Sequence, residues 1–156
     1  MPYEFAGLTY HQFEEGQKFT SASFTVTEAH IVQFAGLAGD FNPLHVNEES
    51  AKKGMFKTRI AHGMLVVSMA TGLANQLRIF EGTTFALVEQ RIKYTAPVFP
   101  GDTITLEITV NKMHEFKEKR DFGKITYGCN VVKQDGTVCV DSEWDCLMLG
   151  TKPETG

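Results

Sequence analysis

Residues 61–80 read AHGMLVVSMATGLANQLRIF, and the reading of this stretch decides the fold. It is the most apolar helix candidate in the chain. Met64, Leu65, Val67, Ser68, Met69, Thr71, Gly72 and Leu73 leave almost no polar face in its first half. A helix that is apolar nearly all round is a buried helix. No other segment is apolar on that scale, so the remaining elements are expected to pack around this one.

Toward the C-terminus the character changes. TTFALVEQRIKYTAPV (83–98), DTITLEITVNKMHEF (102–116), GKITYGCNVVKQ (123–134) and TVCVDSEWDCLML (137–149) are long, alternating and rich in β-branched residues, the pattern of strands. The turns between them, PVFPGD, KEKRDFG and QDGT, carry Gly or Pro where special backbone angles are needed. Links this short make consecutive strands antiparallel.

Toward the N-terminus, KFTSASFTV (18–26) alternates as a strand. A helix follows, with Thr27 as N-cap, Glu28 in the first turn, Ile31, Phe34, Ala35 and Ala38 at helical spacing, and Gly39 as terminator. NEESAKKG (47–54) reads as a short capped helix. An antiparallel sheet must bury one face, and the 61–80 helix is the object available. The expected fold is therefore α+β: one curved antiparallel sheet wrapped around a long central helix, the layout called a hot dog, with residues 1–156 as a single domain. Such a sheet leaves an edge strand, which a second copy related by a two-fold axis can pair.

Composition sets limits on function. The 156 residues are 42% hydrophobic with a formal net charge of −4, which argues against a general nucleic-acid binder. No apolar run reaches the roughly 18–20 residues that span a bilayer, and the opening MPYEFAGLTYHQFEEG lacks the features of a signal peptide. Three cysteines, Cys129, Cys139 and Cys146, occur without a CxxC. An odd count argues against a disulfide framework or a zinc site and favours a reducing cytoplasm.

The chemistry-bearing stretch is GDFNPLHVNEESA (39–51), which brings Asp40, Asn42 and His45 together around a helix-breaking Pro43. It resembles the signature of the MaoC-like hydratases, also called R-specific enoyl-CoA hydratases: G-D-x-N-P-L/I/V-H, then a small residue after five positions. Gly39, Asp40, Asn42, Pro43, Leu44, His45 and Ala51 match it throughout. IAHGMLVVSMATGL and YTAPVFPGDTI extend the resemblance, which runs from about Phe19 to Leu149.

Water addition across a double bond conjugated to a thioester needs a base for the water, an acid for the carbon beside the carbonyl, and donors for the thioester oxygen. Asp40 and His45 can supply the acid–base pair, and neither is singled out as the base. Asn42 can orient the water or hold His45 in one tautomer. Gly63 falls in the first turn of the apolar helix, where N–H groups lack partners and the dipole favours an oxyanion; a glycine there leaves room for a close-approaching thioester. The resemblance implies that the Gly63 N–H meets the thioester oxygen, that the product has R configuration, and that each acyl-CoA site lies at a dimer interface. His62, beside Gly63 at the helix start, can be read as a third catalytic group, but the position suits a structural hydrogen-bond donor and that role is preferred. Asp40, His45 and His62 lack the spacing of a metal motif, and no metal or redox cofactor is expected; coenzyme A is part of the substrate. Lys52, Lys53, Lys57 and Arg59 follow the signature and are candidates for its phosphates, whereas Lys117–Arg120 reads as a solvated turn. Two rival classes are a hot dog thioesterase, which typically lacks the Asp40/Asn42/His45 grouping, and a non-catalytic acyl-CoA-binding module, against which an intact Asp40–His45 pair argues.

Overall fold

The computed structural model describes residues 4–116 and 121–153; the basic turn at 117–120 lies outside the described residues. After a single 3-10 turn at Tyr10–Gln12, strands β1 (Lys18–Thr20) and β2 (Phe24–Thr25) lead to helices α1 (Glu28–Ala38), α2 (Pro43–Val46), α3 (Glu48–Ala51) and α4 (Gly63–Gln76). Strands β3 (Thr84–Tyr94), β4 (Thr103–Glu115), β5 (Phe122–Lys133) and β6 (Val138–Leu149) follow. The single strand expected over 18–26 is two, and Ser21 is the reason. Its hydroxyl accepts the Leu106 N–H at 2.9 Å and donates to the Ala22 carbonyl at 2.7 Å. A side chain that takes over a ladder position interrupts the strand that carries it.

All strand pairs are antiparallel, in the order β1-β4-β5-β6-β3, with β2 also on β4. The direction expected from the short links holds, but β3 and β4 are not neighbours, because β5 and β6 lie between them. The link between them must cross two strands, a span well within reach of its residues. It is anchored on the way: Thr95 N–H bonds the Cys139 carbonyl at 3.0 Å, and the Val98 carbonyl accepts the Ala61 N–H at 2.8 Å. The crossover therefore lies against the start of α4 and forms a wall beside it.

Alternation puts Ile104, Leu106, Ile108 and Val110 of β4 and Ile125, Tyr127, Cys129 and Val131 of β5 on one buried face. They pack on Leu65, Val66, Val67, Ala70, Leu73 and Ala74 of α4 in one continuous core. This is the hot dog layout. The helix is not enclosed all round, however. Met64 is 54% exposed, and Ser68, Thr71, Gly72 and Asn75 form an open stripe with it. The sheet covers only the opposite side. The stripe's hydroxyls are satisfied within the helix, Ser68 by the Met64 carbonyl at 2.8 Å and Thr71 by the Ser68 carbonyl at 2.7 Å. Among the described residues, no helix is long and apolar enough to cross a membrane.

Candidate active site

The segment carrying Asp40 and His45 is built by short-range chemistry. Gly39 ends α1 in the left-handed region (φ 73°), its N–H on the Ala35 carbonyl at 2.9 Å, a conformation that favours glycine. The chain turns at once. Asp40 Oδ1 accepts the Asn42 N–H at 3.2 Å, and Asn42 Oδ1 accepts the Leu44 N–H at 3.1 Å. Asn42 is thus the N-cap of α2, with Pro43 in the first turn. One turn of helix then carries His45 inward, where it is buried. The His45 Nδ1 lies 2.8 Å from the Ile60 carbonyl. A carbonyl only accepts, so Nδ1 carries the hydrogen and Nε2 is the ring nitrogen left for chemistry.

The second half of the site is the start of α4. His62 occupies the N-cap position and Gly63 follows it. The His62 Nε2 donates to the Asp40 carbonyl at 3.0 Å, and its ring stacks on that of His45 with centroids 3.8 Å apart and planes 28° apart. One ligand-type atom from each of Asp40, His45 and His62 lies within 4.8 Å of the others. A water molecule bonded to two groups at about 2.8 Å spans roughly that distance, so Asp40 and His45 can share one water. The same three residues are the candidate metal ligands of the site. Their geometry suits a metal poorly, because ring nitrogens bind ions in the ring plane at about 2.0–2.1 Å, and two stacked rings cannot both do so without turning.

Gly63 joins them. Its N–H has no acceptor among the described residues, as the first turn of a helix dictates. His45 and Gly63 line one cavity of about 450 Å³, whose other walls include Met64, Tyr94 and Val98. Asp40 is exposed, near His45 and His62, and is not part of the cavity wall.

Three expectations change at this point. Asn42 does not fix the tautomer of His45: its oxygen caps α2, and the Ile60 carbonyl fixes the tautomer. Arg59 is not a free cation, since it is paired with Glu48 at 3.0 Å and with Glu28. The bond from Arg59, followed by that from Thr58, holds the Glu48 carboxyl below the usual glutamate range. Lys52, though exposed, pairs with Glu49 at 2.7 Å, which leaves Lys53 and Lys57, both exposed, as the segment's cations outside the ion pairs found among the described residues. The glycine at 63 also has a reason not visible in the sequence. A Cβ built there would lie 2.6 Å from Cε1 of Tyr94, whose hydroxyl meets Met64 Sδ at 3.2 Å. Tyr94 ends β3, and no sequence signal connects it to Gly63.

With this geometry in view, comparison with known proteins is informative. Residues 11–132 match the family model of the MaoC like domain. The chain is 43% identical over 105 residues to the (R)-specific enoyl-CoA hydratase of Rhodospirillum rubrum, covering 66% of this chain and 72% of that one. It is 34% identical over 110 residues to the (R)-specific enoyl-CoA hydratase of Aeromonas caviae, covering 70% and 80%. Among solved structures, a monoamine oxidase regulatory protein from Archaeoglobus superposes with a TM-score of 0.83 at 33% identity, covering 93% of this chain and 96% of that one.

Proposed function

Because the chain belongs to the MaoC-like domain family, and two of the relatives named above are (R)-specific enoyl-CoA hydratases, we propose that it adds water to trans-2-enoyl-CoA to give (R)-3-hydroxyacyl-CoA, or runs the reverse dehydration. The observation that carries this reading is the meeting of Asp40 and His45 beside the unpaired Gly63 N–H. The thioester carbonyl lies against the start of α4, where Gly63 and the helix dipole receive the negative charge that develops as water attacks. Asp40 and His45 hold the attacking water and return a proton to the carbon beside the carbonyl. They act as a coupled pair. Hydration changes no oxidation state, so the reaction draws on no redox cofactor. Lys53 and Lys57 lie on the segment that follows the signature and suit the phosphates of coenzyme A.

The proposed working unit is a homodimer. β3 is a long sheet edge with Phe85, Leu87 and Val88 exposed, and the α4 stripe beside Met64 is open. Leu37, Phe41 and Met55 add exposed apolar surface on the segments around Asp40. Such an edge is an association site, and hydroxyls already bonded within α4 can be buried without losing partners. The three cysteines are free and buried, in keeping with a reducing compartment such as the cytoplasm.

The test is loss of enoyl absorbance across a panel of 2-enoyl-CoAs beginning with crotonyl-CoA. Product would be read by R- and S-specific 3-hydroxyacyl-CoA dehydrogenases, and the dimer by sedimentation velocity over the assay concentrations. We expect R product from a dimer. Release of free coenzyme A thiol in place of hydration would identify a thioesterase. No turnover of any enoyl-CoA would leave a binding module, and a fully active monomer would remove the dimer.

A further inference from the structure

His62 holds a helix N-cap position yet does not cap: its side chain makes no bond to the first turn of α4. Ser, Thr, Asp and Asn are the residues that serve there. The ring is turned the other way, into the protein, where only 2% of the residue is exposed. There it makes three contacts. Nε2 donates to the Asp40 carbonyl at 3.0 Å, its face lies on His45 at 3.8 Å, and Phe34 of α1 backs it with ring centroids 5.1 Å apart. Its remaining nitrogen, Nδ1, is buried with no partner among the described residues. A buried acceptor without a donor is unfavourable, and a phenylalanine would fill the same space without that defect. A polar group kept at such a place calls for an explanation beyond stability.

We infer that His62 is a positioning residue for the hydration site, joining in one side chain the Asp40 backbone, the His45 ring and the start of α4 at Gly63. This inference rests on the function proposed above. The loop at Asp40 is otherwise shaped by bonds within itself, from Phe41 N–H to the Gly39 carbonyl and from Asn42 N–H to Asp40 Oδ1. Those bonds set the turn but not its place relative to α4. The His62 bond reaches it from outside, across 22 positions of chain. His45 is likewise bound by Nδ1 to the Ile60 carbonyl, a bond about which the ring can still rock. The stacked His62 ring removes that motion and aims Nε2. His62 itself transfers no proton in this scheme.

Two variants separate the contacts. His62→Phe keeps the ring and its stacking, removes the Nε2–H donor, and removes the orphaned Nδ1. His62→Gln keeps an amide donor that can reach the Asp40 carbonyl and removes the ring. Thermal unfolding, kcat and KM on the best enoyl-CoA, and long-range 1H–15N correlation of the His45 imidazole are measured for each. His62→Phe should unfold at the wild-type temperature or above and lose about 10- to 100-fold in kcat, the scale of an orienting partner, with KM within about threefold. His62→Gln should retain part of that rate but show the His45 Nε2 signal broadened by ring motion, with the tautomer still held by the Ile60 carbonyl. Wild-type kcat in both variants, or a loss that follows the unfolded fraction alone, would overturn the inference. Should the wild-type protein hydrate no enoyl-CoA, the functional reading fails separately. The imidazole spectra still decide the positioning role: unchanged His45 signals in both variants remove it, and altered signals in a folded variant uphold it.

Discussion

The segment holding Asp40 and His45 and the basic segment at 52–59 are close in the chain, and they are built by opposite means. In the first, the side-chain hydrogen bonds end on backbone atoms, the Asp40 and Ile60 carbonyls and the Asn42 and Leu44 N–H groups, and the one ring contact among the described residues is the stack of His62 on His45. A backbone partner inside a packed fold has no rotamer freedom to lose. In the second, the paired basic side chains are held by other side chains, Arg59 by Glu28 and Glu48 and Lys52 by Glu49. Lys53 and Lys57 are exposed, and Lys57 has a left-handed backbone, φ 61°. Exposed ion pairs contribute little, about 0–1 kcal/mol, and salt screens them. The difference matches the demands of the proposed reaction. Proton transfer requires placement to within a fraction of an ångström, whereas a phosphate tail tolerates a mobile partner.

The most severe way to break this comparison is to neutralise the rigid half. Asp40→Asn and His45→Gln should each lower kcat by about 100-fold or more, the usual contribution of a general acid or base, while thermal unfolding stays close to wild type. Rates are read from the enoyl thioester absorbance. Near-wild-type turnover in either variant would take that residue out of the reaction.

A smaller effect sharpens the reading of Gly63. If the glycine is there to admit the thioester, Gly63→Ala harms catalysis whatever occupies position 94. The geometry gives a different reason, since the new Cβ meets the Tyr94 ring at 2.6 Å. The helix start or the ring must then move. Displacement on that scale should cost about 10- to 100-fold in kcat. Tyr94→Ala alone should cost much less, and Gly63→Ala with Tyr94→Ala should recover most of the loss. A double-mutant cycle measures the coupling. Losses that simply add would return Gly63 to its first interpretation, as space for the substrate.

What the sequence made legible follows the same division between local and distant contacts. The Thr27 cap and the Gly39 terminator are read correctly because caps are decided by residues one to four positions apart. The four long strands are legible because alternation is local too. The adjacency of β3 to β6 rather than β4 was hidden, because it depends on how far the sheet curls around α4. So was the break at Ser21, which needs Leu106 opposite it. In the candidate site, Asp40, His45 and Gly63 were picked out by their residue types and the family resemblance, and the fold brings them together. The Ile60 carbonyl and Tyr94 were not foreseen, nor were the ion pairs of Arg59. A backbone carbonyl has no identity in a sequence, and the carboxylates that occupy Arg59 lie on α1 and α3, brought together only by folding.

The smallest expected effect tests the mobile half. Lys53→Ala with Lys57→Ala removes the two exposed cations of the segment that lie outside its ion pairs and leaves the pairs of Lys52 and Arg59 in place. If those cations meet the phosphates of coenzyme A, KM should rise about two- to tenfold at low salt, the range that two exposed ionic contacts support. The kcat should be unchanged, because neither side chain touches the reacting atoms. The effect should fade by about 0.5 M salt, where the screening length falls to a few ångströms. An N-acetylcysteamine thioester carries the same enoyl group without phosphates, and on it the double variant should match wild type. An equal KM change on the short thioester would mean that the segment shapes the acyl end of the cleft. A fall in kcat would mean that it helps to place Asp40 and His45, and the two halves would then be one.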